Sequence, residues 1–372
     1  MSAHPTDQRS AASLRLALIP GIGPQLWRQL LAHFHSPQAV LAASQQELRQ
    51  IQGIGLHTSR AIVAASRDQS AEATLALCQQ HGIDVLIETE TNYPQLLREI
   101  PSPPNLLFLR GALRPCDALA IAIVGTRRVT NYGRRQAQRF AAELSRAGLT
   151  IVSGLARGVD AAAHQAALDA GGRTIAVMGS GVLHIYPPEH RSLARQIQDC
   201  GALLSEFHPH HKPSRGTFPQ RNRIITGLSL GVIVVEAPAK SGALISAQHA
   251  LEQGRGVFAL PGPVDQKNSS GCHQLLRDGA TLVESARDVL DDLGPLCNEI
   301  PQSDGHVIRH PAELGLNPQE LAVLNSIPTA PTHLDTVIAG CQLSPNQVLS
   351  TISALEIRQL VRRLPGQQVV RN

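Results

Sequence analysis

Short apolar runs alternate with stretches of helical period through the middle of the chain. The runs occupy 120–124, 149–153, 174–178, 232–235 and 257–260. Helix-period segments lie between them at 133–147, 160–170, 222–228 and 243–253. Uniformly apolar runs of this length predict strands buried on both faces, and their alternation with helices predicts an α/β fold built on a parallel sheet. In such sheets ligands bind outside the carboxyl ends of the strands. Here those ends read Gly125-Thr126-Arg127-Arg128, Ser153-Gly154, Gly179-Ser180-Gly181, Glu236 with Lys240-Ser241-Gly242, and Pro261-Gly262. Backbone N–H groups left bare by glycine and serine, with guanidinium groups beside them, suit phosphates.

Flanking segments have other periods. Residues 12–66 read as helices broken by two similar turns, Ile19-Pro20-Gly21-Ile22-Gly23-Pro24 and Ile51-Gln52-Gly53-Ile54-Gly55-Leu56. This internal repeat resembles a SAM-like tandem helix-hairpin-helix domain. Such turns can hold a phosphate without reading bases, or the domain can serve only packing or dimerisation, since few cations (Arg28, Arg49, Arg60) flank them. Residues 83–86 and 106–109 read as short strands that extend the edge of the main sheet. After it, 294–311 mixes Pro, Gly, Ser, Asp and His like a linker. The tail predicts helices over 317–326, 332–339 and 344–358, then a hairpin at Pro365-Gly366, the pattern of a winged helix-turn-helix. Its second helix-turn-helix segment, 344–357, has no Lys or Arg and contains Glu356, which favours protein contact or regulation over base reading. The division expected is 1–72 helical, 73–294 main domain, 295–315 linker and 316–372 winged helix.

Composition sharpens this picture at one point. The 372 residues are 42% apolar with a net charge of +4, yet only Lys212, Lys240 and Lys267 are lysines and all other basic residues are arginines. Arginine suits bidentate phosphate recognition, while GC-rich codon usage gives the same bias; position decides between them. Cysteines 78, 116, 200, 272, 297 and 341 show no metal-finger or CxxC spacing, so reduced thiols in a cytoplasmic protein are expected. The polar 1–10 segment is not a signal peptide pattern, and no run approaches a membrane span. Aromatic residues make up 3%, so an exposed ring carries information.

The chemistry-bearing stretches point to binding. The turn after 120–124 is not GxGxxG and lacks a ribose-gripping acid; it trades glycines for Arg127 and Arg128, which favours an extended polyanion. Asp160 and His164, four apart, read as a cap and a structural hydrogen bond beside Gly154 and Arg157. The densest cationic stretch sets Arg215, Arg221 and Arg223 around Phe218 and Asn222, as a single-strand groove requires. His208, His210 and His211 are expected on a solvated surface rather than on a metal. Ser241 and Gly242 open a helix and offer another anion seat. No Walker lysine, nucleophile elbow or triad occurs, so neither catalytic residues nor a cofactor or metal is expected.

At these loops the chain resembles the DprA/Smf family of bacterial DNA-processing proteins. The matching stretches are VGTRRVTNYG (124–133), SGLARGVDAAAH (153–164), TIAVMGSGV with IYPPEH (174–190), FPQRNRIITGLS (218–229), VVEAPAKSGALISA (234–247) and GVFALPGPV (256–264). The resemblance implies an extended Rossmann-like, doubly wound sheet that binds single-stranded DNA without sequence preference. It further implies protection of incoming strands in natural transformation, loading of RecA recombinase, and a homodimer formed through the Rossmann-like domain. On this chain the DNA site would comprise Arg127, Arg128, Gly154, Arg157, Arg215, Phe218, Asn222, Arg223, Lys240, Ser241 and Gly242. Many family members carry lysine where this chain has Arg215. Two alternatives stand beside it: a nucleotide hydrolase of the lysine-decarboxylase-like type, with Glu236 as its best-placed acid, and a structural recombination partner.

Overall fold

A computed structural model of the chain describes residues 5–66, 68–293, 300–301, 307–358 and 360–371. Nine strands form the central sheet: β1 Asp84–Ile87, β2 Leu106–Gly111, β3 Ala120–Val124, β4 Thr150–Ser153, β5 Thr174–Val177, β6 Ala202–Ser205, β7 Gly231–Val234, β8 Gly256–Ala259 and β9 Thr281–Leu282. Their order is β1-β2-β6-β5-β4-β3-β7-β8-β9. From β6 across to β9 every neighbouring pair is parallel. The expected edge extension is present, because β2 pairs antiparallel with β6 and β1 antiparallel with β2.

Seven α-helices follow β3 among residues 120–293: α1 Asn131–Arg146, α2 Val159–Asp169, α3 Arg191–Cys200, α4 Thr217–Gly227, α5 Gly242–Glu252, α6 Ser270–Arg277 and α7 Ala286–Asp292. Alternate strand residues face opposite layers. Ile121, Ile123, Ile151 and Ile233 pack with Phe140 and Leu144 of α1 and Ala163 of α2. Ala120, Ala122, Val152 and Val234 pack with Ile224 and Ile225 of α4 and Ala247 of α5. The chain runs outward from β3 to β6 with α1 to α3 on one face, then crosses by α4 to β7 and builds the other half with α5 and α6 on the opposite face, before α7 returns to the first face beside Phe140. The strand order therefore reverses between β3 and β7, and the doubly wound reading holds.

Four elements differ from the sequence expectation. Helix α4 begins at Thr217, five residues before the expected 222. Pro219 in its first turn is harmless there, since first-turn N–H groups lack helical acceptors. Strand β6 and helix α3 are not among the expected elements; β6 is a short run, while α3 is amphipathic, with Leu193, Ala194 and Ile197 on its buried face. In the tail, Thr332–His333 is a short strand paired with Gln368 and Val369, and the helix starts only at Leu334.

The N-terminal helices Pro24–Phe34 and Leu56–Ala65 each follow one of the repeated turns. The repeat extends to backbone angles: Gly21 and Gly53 have φ of +91° and +90°, and the N-caps Gly23 and Gly55 have φ of −80° and −82°. A left-handed glycine at both places explains the sequence repeat physically. Leu14 and Cys78 pack on Phe108 of β2, and Asn105 donates to the Ile22 carbonyl at 3.2 Å, so this unit is docked on the sheet edge. Arg28, one of its few cations, is directed to Glu88 at 3.4 Å and to the Arg98 carbonyl at 3.1 Å.

The C-terminal helices Pro318–Asn325, Leu334–Gly340 and Pro345–Ile357 pack with the antiparallel hairpin of Val361–Leu364 and Gln368–Arg371. Of the linker expected over 295–315, residues 295–299 and 302–306 lie outside the described residues. The 3-10 turn Pro311–Gly315 is packed on α7. No helix among the described residues is long and apolar enough to cross a membrane.

Candidate nucleic-acid interface

The switch point between β3 and β7 begins with an acid. Glu236 follows β7, is buried, and accepts from the Thr130 N–H at 3.0 Å and from the Thr130 hydroxyl. Thr130 in turn caps α1 by accepting from the Gly133 N–H at 3.1 Å. A Cβ on Gly133 would lie 2.3 Å from the Glu236 Cδ, so glycine makes room for the carboxylate. The positive end of α1, where a Rossmann fold seats a pyrophosphate, is thus occupied by the protein's own anion. Glu236 is held as a structural cap, a geometry unlike that of a base facing a substrate.

Above this floor Arg127 projects from the β3 turn. It is exposed, and its guanidinium lies over the Phe218 ring at 5.0 Å from the centroid. Such a cation–ring stack fixes a flexible arginine and presents charge and a flat surface together. Phe218 is half-buried on the first turn of α4. Gly179, after β5, leaves space for it, since a Cβ there would come within 2.7 Å of the ring. Tyr186, partly exposed, lies 5.8 Å from Phe218 at a tilted angle. Tyr186 was not among the sequence-predicted site residues, although it lies in the IYPPEH stretch; its exposure in a chain so poor in aromatics was the signal.

Three residues further along α4 lies Arg221, which is buried. It donates to the Val177 carbonyl at the end of β5, and a Cβ on Gly154 would meet its Nη1 at 2.2 Å. Gly154 is therefore the gap through which this guanidinium passes. Its N–H is directed to Asp160, at 3.2 Å, rather than to solvent. Asp160 also accepts from the Ala156 N–H at 3.3 Å. Burial pushes Arg221 down to about 10, with Asp160 opposing that shift and Arg127 reinforcing it. Burial also raises Asp160, against the pull of Arg221. Arg221 thus places a positive charge under Arg127. The signal for its burial is helical spacing: Arg221, Ile224, Ile225 and Leu228 share the inward face of α4.

His164 does not pair with Asp160. Its Nδ1 lies 2.7 Å from the Thr174 hydroxyl, which itself donates to the Ile151 carbonyl at 2.7 Å. The imidazole therefore donates through Nδ1, and its buried Nε2 has no partner among the described residues. Burial pushes its pKa down to about 3. The expected structural role fits this geometry.

The remaining expected residues separate into groups. Asn222 on α4 donates to the Gly242 carbonyl at 3.2 Å, so it joins the Ser241-Gly242 turn to the same side of the groove. Ser241 caps α5 by accepting from the Ala243 N–H at 3.2 Å, while Gly242 and Lys240 are exposed. Arg128 is exposed, and its carbonyl accepts from Asn268 at 3.0 Å. Arg215 is exposed just ahead of α4, and Arg157 is exposed but paired with Glu189. Arg223 is placed elsewhere. Its guanidinium makes two bonds to Glu206, at 2.9 and 2.6 Å, and one to the Ser102 carbonyl at 2.9 Å. It braces α4 against the loop before β2.

Of the three nearby histidines, His210 is exposed as expected, whereas His208 and His211 are partly buried. His208 is half-buried, with Nε2 at 3.3 Å from the Thr74 hydroxyl of the N-terminal unit, and packs edge-on to Phe108. His211 stacks on Phe207 at 4.9 Å. Among the described residues no three His, Cys, Asp or Glu side chains converge as metal ligands.

Comparison with known proteins follows the same division of the chain. Residues 84–294 match the family model described as DNA recombination-mediator protein A. Residues 308–367 match the DprA winged helix domain, and residues 13–68 match a SAM-like helix-hairpin-helix tandem. Protein Smf of Synechocystis is 36% identical over 98% of this chain and 99% of its own length. The DNA processing protein DprA of Bacillus subtilis is 44% identical over 59% of this chain and 74% of its own. The X-ray structure of DprA from Streptococcus pneumoniae superposes with a TM-score of 0.68 at 35% identity, covering 76% of this chain and 98% of that one. DprA of Helicobacter pylori, solved for its single-stranded DNA binding mode, has a TM-score of 0.51 at 32% identity and covers 56% of this chain and 93% of that one. The sheet, the flanking units and these matches agree, and the chain belongs to the DprA/Smf family of DNA-processing, recombination-mediator proteins.

Proposed function

We propose that this chain binds single-stranded DNA without sequence preference in the groove above the β3–β7 switch point. The observation that carries the reading is the stack of exposed Arg127 on Phe218 at the carboxyl end of the sheet. A guanidinium meets phosphate oxygens while rings and guanidinium planes stack bases of any kind. Lys240, the Ser241-Gly242 turn, Arg128 and Arg215 line the approaches and Arg157 the rim, where they attract the backbone. The single-strand-binding relative from Helicobacter pylori supports the choice of ligand. The role that follows is that of a cytoplasmic homodimer that shields single strands and passes them to RecA recombinase during recombination, as in natural transformation. Asn222 fixes the α4–α5 contact beside the groove, and Arg223 and Gly154 support it from outside and below.

A nucleotide hydrolase is disfavoured by the buried cap formed by Glu236, because a carboxylate locked on Thr130 is not free to activate water. We therefore read the chain as a binding protein without catalysis. Titration of labelled single-stranded and duplex oligonucleotides at two salt concentrations tests this. The reading predicts preference for the single strand, indifference to base sequence, and affinity that falls steeply with salt. Equal affinity for duplex, or none for either, contradicts it.

A further inference from the structure

Three arginines outside the groove converge on a second cavity of about 310 Å³. Arg110 enters it from β2, Arg191 and Arg195 from α3, and His184 and Ile185 from the loop after β5. None of the three guanidinium groups has a carboxylate partner among the described residues, in contrast to Arg157, Arg173 and Arg223. The Nε of Arg110 is buried without an acceptor among the described residues. Unpaired like charges repel, and a buried donor without a partner is costly. A multi-oxygen anion relieves both, and guanidinium groups hold phosphates in bidentate fashion.

One short loop borders both the cavity and the groove. His184 and Ile185 line the cavity, and the next residue, Tyr186, packs beside Phe218. That loop is fixed: Ser180 donates to the His184 carbonyl at 2.7 Å, the His184 N–H donates to Gly181 at 2.8 Å, and the Leu183 N–H donates to Pro209 at 3.1 Å. Arg191 and Arg195 are exposed one helical turn apart, about 6 Å along α3, so they form a short cationic track.

We propose that the Arg110–Arg191–Arg195 cavity is a second phosphate subsite, which holds the backbone of a DNA strand where it leaves the groove past Tyr186. The inference rests on the single-strand reading of the groove and extends it. A free phosphate compound is the competing source of the same chemistry; the shared loop and the track along α3 favour the strand.

The test uses the full chain, a labelled oligonucleotide of about 6 nucleotides that fills the groove alone, and one of about 20 that reaches beyond it. Arg191→Ala/Arg195→Ala changes two exposed helix positions, and Arg191→Lys/Arg195→Lys keeps their charge. Binding of the short strand is expected to stay at the wild-type level in both variants. For the long strand, the alanine pair is expected to lower the slope of log affinity against log salt by about 1.4, which is about 0.7 for each phosphate that is no longer neutralised, and the lysine pair to keep it. A long-strand affinity and slope unchanged in the alanine pair overturn the proposal. So does a pyrophosphate-induced rise in melting temperature that the alanine pair abolishes while long-strand binding is unaffected, which would assign the cavity to a free phosphate ligand. Arg127→Ala separates the two readings, since failure of the groove shows on the short strand and failure of the cavity on the long one. A wild-type chain that binds neither strand overturns both.

Discussion

The guanidinium of Arg221 is buried under the groove, while that of Arg127 lies over Phe218 in contact with solvent. Arg223, two residues along from Arg221, is turned to Glu206. All three belong to loops or helices rich in arginine, and sequence alone gives them one reading. Arg127 was legible because it follows an apolar strand directly. The fates of Arg221 and Arg223 depend on where α4 begins and hence on which face each occupies. Arg223→Ala is expected to leave the Glu206 carboxylate, only 11% exposed, without its partner and to cost about 3 kcal/mol of stability in urea unfolding, while the salt slope of DNA binding stays unchanged. A changed slope with intact stability would instead make Arg223 a phosphate contact. His164 gives a pH test. Its folded pKa, near 3, lies below the ordinary value of 6.5, so between these pH values the unfolded chain takes up a proton that the folded chain does not. Its contribution is complete above pH 6.5 and is lost as pH falls towards 3, at about 1.4 kcal/mol per pH unit inside that window. Urea midpoints of wild type and His164→Gln should therefore draw together from pH 7 to pH 4; parallel profiles would contradict the buried neutral imidazole.

Elements differ in how openly the sequence announces them. β3, β4, β5, β7 and β8 are apolar runs that satisfy both faces of the sheet, so their period is unmistakable. β6 is as deeply buried, but its run, Ala202-Leu203-Leu204-Ser205, is short and can be taken for a loop or a helix end. The start of α4 was hidden by Pro219, which reads as a loop until the freedom of the first helical turn is considered. Helix α1 is a further case. Its Thr130 cap is local, two residues earlier than the expected helix start at 133 would place it, whereas its second cap, Glu236, comes from 106 residues away. Glu236→Ala is expected to lower stability by about 1–2 kcal/mol through the loss of the cap and its charge at the helix N-terminus. Single-strand binding should persist in that variant. Loss of binding with normal stability would instead place Glu236 in contact with ligand.

At the scale of the whole molecule, the groove is a consequence of strand order. β3 and β7 lie side by side, yet their following segments lead to opposite faces, which opens a crevice at their carboxyl ends. The helical N-terminal unit sits on the far β1–β2 edge, and the C-terminal unit is tied near α7. There Arg371 meets Glu313 at 2.7 Å, with both side chains nearly buried, and Arg358 reaches Asp291 of α7 at 3.8 Å. Glu313→Gln is expected to loosen this attachment by about 3 kcal/mol, read as faster amide exchange in 316–372 with exchange around β3 and β7 unchanged. Unaltered exchange would mean that the ion pair does not hold the unit. The central claim, that Arg127 and Phe218 together form the single-strand site, is tested most directly by a double-mutant cycle read by fluorescence anisotropy. Wild type, Arg127→Ala, Phe218→Ala and the double variant are titrated with one labelled single strand at low and moderate salt. The account predicts a loss of about 1–3 kcal/mol for each single variant and a double variant weaker than either but short of their sum, because the stacked pair acts as a unit. Affinity equal to wild type in all three variants, with their folds intact, would contradict it.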